Sequence, residues 1–186
     1  MIQSYNDYLA YLEADRIALG ISSTLKNRLF DEVWKFQRVL RTLEYLINCK
    51  KSRIRILINK LRFRSMSTRL GFTIGFNCTG PGLAIAHVGP IIIGKVKIGK
   101  NCRLHTCIQI GAWEDGYPEI GDDCYIGAGA KVIGGVKLGD KTMVAPNAVV
   151  RKSFPDGCCL IGGVPAKFIK SNNFSWLEKR SRRSAV

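Results

Sequence analysis

An aliphatic residue recurs at every sixth position through most of the second half of this chain. Ile98, Leu104 and Ile110 keep the step, and after one interruption Ile120, Ile126, Val132, Leu138, Val144 and Val150 resume it. Gly99, Gly111, Gly121, Gly127 and Gly139 directly follow five of these positions, while Cys102, Cys124, Ala130, Thr142 and Ala148 place a small residue two before the next aliphatic. The helical period is absent from this region. A period of six predicts short strand-plus-turn units, three of which close one triangular coil. Each inward aliphatic side chain then stacks on its counterpart in the next coil, and the small residues permit the tight corners.

Such a stack has open ends that must be covered. From Ser4 to about Arg69 the pattern is helical, with Leu29, Val33, Phe36, Leu40 and Leu43 at three- and four-residue steps. Gly20 and Ser22-Ser23-Thr24 break it, so the reading is one helix ending near Leu19, a longer one over about 29–48 and a basic one over about 52–68. The expected organisation is a helical segment over residues 1–70, coils over 71–170 and a basic tail over 171–186. The helices and the segment after Phe154 are candidate end covers. The step from Ile110 to Ile120 is longer than one unit, so 112–119 (AWEDGYPE) is expected to leave the coil as a loop, the kind of element that carries function on a rigid scaffold.

Charge narrows the partners. The formal net charge is +15, concentrated in 50–69 and 179–183, which favours anionic partners such as a phosphorylated cofactor, an acidic glycan or an anionic membrane surface, and also admits nucleic acid. A solvated helix face and a loose tail are the plain alternatives. Seven cysteines with no C-x-x-C pair read as reduced core thiols, and no metal is expected, because His87 and His105 are the only histidines and neither has finger-like spacing to a cysteine pair. No apolar run approaches membrane-spanning length, and Asn6, Asp7, Glu13 and Asp15 interrupt the start of the chain. A cytoplasmic location is expected, with peripheral contact at the inner face of the membrane as an extension.

GPGLAIAHVG, the six-residue repeat, IGAGAKVIGGVKLG and GGVPAK occur in that order. In this the chain resembles the serine acetyltransferase-like hexapeptide-repeat O-acetyltransferases, over about residues 71–170. YLEADR and FDEVWKFQR resemble the shortened helical domain of the members associated with capsule and other polysaccharide genes. The resemblance implies a left-handed parallel β-helix capped by a small helical domain, acetyl-CoA as co-substrate, and a homotrimer that a second layer of contacts could extend to a dimer of trimers.

It also implies site roles. His87 matches the catalytic histidine, and imidazole suits that task, because a hydroxyl attacking a thioester needs its proton removed near neutral pH. His105 follows three repeat units later, which would put both rings on one edge if no register slip intervenes. The family's imidazole-orienting Asp falls near Phe72, so Asp15 is the candidate to fix the tautomer of His87, with a helix-surface salt bridge or a backbone carbonyl as alternatives. Gly111 and Ala112 are expected to admit the thioester, Gly129 and Ala130 to line the pantetheine groove, and Arg151, Lys152 and Lys167 to meet the CoA phosphates. No pairing supports Cys78 or Cys107 as a nucleophile, so transfer should be direct.

The acceptor is where this chain departs from the family. Ala86 replaces an Asp beside the catalytic histidine, and Gly116-Tyr117 replaces an Arg-His pair that receives the serine carboxylate. A zwitterion without charged partners is costly to desolvate. A sugar or polysaccharide hydroxyl is therefore the main expectation, with Trp113 and Tyr117 stacking on the ring and His105 nearby. The alternatives are serine itself, a carbonic-anhydrase-like metalloenzyme, which would need a third histidine, and a non-catalytic trimer binding glycan or nucleic acid.

Overall fold

The structure is a computed structural model that describes residues 1–22, 24, 30–173 and 175–178. Among the described residues, three helices, α1 (Tyr5–Leu19), α2 (Glu32–Asn48) and α3 (Arg53–Leu70), precede a parallel β-solenoid of about five turns. Leu29, the expected start of the second helix, and the basic tail from Lys179 lie outside the described residues. All three helices end close to where periodicity puts them. Gly20 and Gly71 take the left-handed conformation, φ 62° and 76°, that stops α1 and α3. Ser4 and Asp31 accept bonds from the backbone N–H of Asp7 and Trp34 at the starts of α1 and α2. The start of α3 is different. Ser52 makes no such bond, and two cations, Arg53 and Arg55, sit at the positive end of the helix dipole.

The strands form three faces. Face A holds β1 (Phe72–Ile74), β3 (Ile91–Ile93), β6 (Ile108–Gly111), β9 (Lys131–Ile133) and β12 (Val149–Val150). Face B holds β4 (Lys97–Ile98), β7 (Glu119–Ile120) and β10 (Lys137–Leu138), extended by single bridges at Thr79 and Phe154. Face C holds β2 (Ala84–Ile85), β5 (Arg103–Leu104), β8 (Tyr125–Ile126), β11 (Met143–Val144) and β13 (Cys159–Gly162), closed by the antiparallel β14 (Lys167–Ser171). The chain visits A, B and C in turn. Regular coils pair residues three repeat units apart, as in Tyr125↔Met143, whereas the 112–119 insertion lengthens that offset, as in Lys97↔Glu119. The nine aliphatic positions are all buried, at 3% exposure or less.

The helices share this core. Phe36 and Leu40 of α2 join the stacked aliphatics, and the ring of Phe36 meets Phe72 edge-on at 4.9 Å. Phe72, where the orienting Asp was sought, is therefore a core residue. The open edge of the first coil is covered by polar side chains that satisfy its backbone groups. Arg41 donates to the carbonyls of Thr79 (3.0 Å) and Gly80 (2.7 Å), Asp15 accepts from the N–H of Gly82 and Leu83 (2.8 Å each), and Gln37 donates to Leu83 O (2.7 Å) and accepts from Ile85 N–H (3.3 Å).

Cys78, Cys102, Cys124 and Cys159 are buried, and burial pushes the Cys78 thiol up to about 11. Cys107 and Cys158, in contrast, are exposed at corners with φ of 60° and 46°. The expectation of core thiols fails for these two, because the corner residue in the left-handed conformation turns its side chain outward rather than into the prism.

Candidate functional site

Every candidate residue of the repeat region except Ala130 and Lys167 sits at a corner of the prism or, in the case of Gly111, at the strand end that enters one, and the corners divide them. The corner between faces C and A carries His87 in the first coil, His105 in the second and Gly129 in the third. The corner between A and B carries Gly111, Ala112, Trp113 and Tyr117 in the third coil and Arg151 and Lys152 in the fifth. Lys167 opens β14 and is exposed.

At the C/A corner the register slips. Ile85 pairs with Leu104 before the corner and Ile91 with Ile108 after it, so the first coil turns this corner with a longer segment than the second. His87 and His105 fall midway and their rings still meet, centroids 5.9 Å apart and inclined 65°. His87 is exposed, with no hydrogen-bond partner among the described residues. His105 is half-buried against the Tyr125 ring at 5.0 Å, and its Nε2 is buried without a partner among the described residues. Burial first, then the charge of Arg103 and the neighbouring His87, push the His105 pKa below the ordinary imidazole value.

Asp15 is not part of this pair. Its carboxylate is fully buried, with Oδ2 accepting from Arg41 Nε at 2.8 Å and Oδ1 taking the Gly82 and Leu83 N–H groups. The expected contact with His87 is replaced by a buried ion pair, because α1 packs over the turn that precedes β2 and not over the corner that follows it. Glu44 completes the cluster at 3.0 Å from Arg41 Nη1. Burial opposes the guanidinium charge, but Asp15 and Glu44 more than offset it, and the Arg41 pKa is raised.

Ala130 also departs from expectation. Its side chain is fully buried among the stacked aliphatics, and its N–H and carbonyl bond to Gly127 O and Gln109 N–H, so it is a packing residue that no groove reaches. Gly129, one position earlier, is partly accessible, with φ 73° and its N–H on Thr106 O. Gly111 faces open space: a Cβ there meets nothing within 4 Å.

The insertion folds back rather than projecting freely. Trp113 and Gly116 exchange both backbone bonds (3.0 and 3.1 Å) around Glu114-Asp115, a two-residue hairpin turn. It lies on Gly134-Gly135 of the next coil, where a Cβ would collide with the carboxylate or the carbonyl oxygen of Asp115. Cations from other coils flank it. Lys95 Nζ lies 4.7 Å from the Tyr117 ring centroid and 3.4 Å from its hydroxyl, and the Arg151 guanidinium stands 5.5 Å from the Trp113 ring. Lys95 was not among the residues expected at the site. Two cations from other coils thus stand against the aromatic rings of a loop whose own turn carries the carboxylates of Glu114 and Asp115.

The described residues contain no cluster of three His, Cys, Asp or Glu able to hold a metal, and no helix long and apolar enough to cross a membrane.

The family described as bacterial transferase hexapeptide (six repeats) matches residues 117–152. Serine acetyltransferases from Staphylococcus aureus (strain Mu50) and Mycobacterium tuberculosis (strain H37Rv) are 33% and 32% identical to this chain over 98 and 95 residues, covering 50% and 48% of this chain and 46% and 41% of theirs. This chain spans about half the length of the curated relatives it matches. Among solved structures, a serine acetyltransferase in complex with CoA aligns with a TM-score of 0.71 at 20% identity, over 90% of this chain and 72% of that one. The Neisseria gonorrhoeae serine acetyltransferase aligns at 0.72 and 21%, over 92% and 70%. These likenesses carry the fold across nearly the whole described chain.

Proposed function

We propose that this protein is an acetyl-CoA-dependent O-acetyltransferase in which His87 is the general base and serine is the favoured acceptor. The observation that carries the reading is the His87–His105 pair at a coil corner of a hexapeptide solenoid whose relatives bear the name serine acetyltransferase. An exposed imidazole at this corner, with the His105 ring beside it, is suited to take the acceptor's hydroxyl proton as its oxygen attacks the thioester carbonyl. The tetrahedral intermediate then collapses to release CoA, and a backbone N–H near Gly111 or Ala112 is the candidate donor to its oxyanion. Lys95 and Arg151, flanking Tyr117 and Trp113, supply the positive charge a carboxylate needs. This favours serine over the uncharged sugar hydroxyl that the loop sequence suggests by itself. Lys152 and Lys167 remain candidates for the CoA phosphates, whereas Arg151, also expected there, stands over Trp113 on the acceptor loop. The two corners lie apart on one prism, which supports taking the active unit as a homotrimer in which one copy's histidine corner faces another's loop corner.

The test is CoA release from acetyl-CoA by the full chain, offered L-serine and a panel of neutral sugars in parallel, with His87→Ala as control. L-serine should accelerate release and the substitution should remove about 10²- to 10⁴-fold of the rate. A neutral sugar that outperforms serine overturns the acceptor, and release undiminished in His87→Ala overturns the base.

A further inference from the structure

Helix α3 carries two apolar stripes on opposite sides. Ile56, Phe63, Met66 and Leu70 face inward, and Phe63 and Met66 pack on the core shared with the coils. One half-turn round, Ile54, Leu57, Ile58 and Leu61 recur at three- and four-residue steps and remain 71%, 59%, 51% and 61% exposed. At about 100° per residue this second stripe is about 100° wide. Its flanks are basic on both sides, with Arg53, Lys60 and Arg64 along one and Arg55 and Arg62 along the other.

Two features set this face apart from an ordinary solvated helix. Residues 50–70 hold eight Lys or Arg and no Asp or Glu. Arg69 pairs with Glu32, but the five cations bordering the stripe make no ion pair among the described residues. The charge is also placed where it weakens the helix, with Arg53 and Arg55 in a first turn that has no cap bond.

We propose that the outer face of α3 is a docking surface for an anionic lipid bilayer. The apolar stripe enters the headgroup–acyl boundary while the flanking guanidinium and ammonium groups meet lipid phosphates, the pattern of a helix lying in the membrane plane. A second copy of the chain is the poorer occupant, because a symmetric contact would bring two sets of unpaired cations together around the stripes. On its other side α3 packs on α2 and β1 at the end of the stack.

Co-sedimentation of the full chain with vesicles tests it, using phosphatidylcholine alone or a two-to-one mixture of phosphatidylcholine and phosphatidylglycerol, at low and high salt. Binding is expected to the anionic vesicles only, and to weaken at least tenfold as salt rises from about 0.05 to about 0.5 M. Leu57→Gln with Leu61→Gln, which keeps good helix formers on an exposed face, should weaken it at least tenfold without changing the melting temperature. Arg62→Gln with Arg64→Gln should do the same. The proposal is overturned by no binding above the neutral-vesicle background, or by binding that both double variants leave unchanged. It is equally overturned if the stripe variants abolish self-association, or RNA binding, while vesicles are not bound.

Discussion

Replacing Asp15 by Ala decides whether this carboxylate serves the fold or the chemistry. In the structure it neutralises Arg41 and accepts two backbone N–H groups from the turn before β2, all in a site with no solvent exposure. Truncation leaves the Gly82 and Leu83 donors without acceptors, each costing about 1–3 kcal/mol when buried. It also leaves Arg41 with Glu44 alone, and breaking a buried pair from one side costs about 3–5 kcal/mol in total effect. These overlap, because the lost hydrogen bonds are part of the broken pair, so a net loss of about 4 kcal/mol is expected. For a chain of this size that lowers the melting temperature by about 8–16 °C. Asp15→Asn should fall between, since an amide oxygen keeps the two backbone bonds while its NH2 group opposes Arg41 Nε. Thermal unfolding followed by circular dichroism reads both variants. Below their melting temperatures the pH dependence of kcat/KM should match wild type, because Asp15 does not touch His87. A melting point within about 3 °C of wild type, combined with a displaced pH profile, would refute the structural assignment.

Three further outcomes follow from the same geometry. The His105 pKa is lowered by burial, so below the ordinary imidazole value near about 6.5 the unfolded chain binds a proton that the folded chain resists. Stability should therefore be complete above that pH and fall as pH drops through it; urea midpoints of His105→Gln should show a shallower acid-side loss than wild type. Gly111→Ala should leave the melting temperature unchanged or slightly higher, since nothing lies within 4 Å of the new methyl, yet lower kcat/KM if the thioester passes over this glycine; equal turnover removes Gly111 from the site. Ala130→Leu should cost about 1–3 kcal/mol through overpacking, measured by denaturant titration, and a neutral result would mean that the residue is not enclosed by the stacked coils.

The six-residue period made the prism legible, because each inward aliphatic position is dictated by a corner geometry that few residues satisfy. The helix ends were legible for a similar reason: Gly20 and Gly71 stop α1 and α3 by conformation, not by tertiary contact. What escaped were pairings that depend on how elements pack. Asp15 and Arg41 lie far apart in sequence on different helices, and nothing in their spacing announces a buried ion pair. The Lys95–Tyr117 contact had a signal that went unused. Once the insertion lengthens one coil so that Lys97 pairs with Glu119, Lys95 stacks directly on Tyr117. Ala130 was misplaced because the same smallness that suits a cofactor groove also suits a crowded interior. The repeat shows that a small residue is wanted, not which side of the wall it occupies.

A stack of triangular coils is convex, and this constrains how such a chain can catalyse anything. The histidine corner and the loop corner are joined by face A, whose strand β6 (Ile108–Gly111) alone is about 10 Å of straight chain. Reaction between an acceptor oxygen and a thioester requires the two within about 3–3.5 Å. One prism therefore cannot present His87 and its own loop to the same pair of reacting groups. Two copies can, if the C/A corner of one meets the A/B corner of the next. That contact joins unlike surfaces, and unlike-surface contacts repeat until they close into a ring or run on as a filament. Closure after three copies is the geometry most natural to a three-faced prism. In the proposed trimer the same step that builds a cleft from convex parts would bring Lys95 and Arg151 of one copy to the histidine pair of its neighbour, so that assembly and acceptor recognition would become one requirement.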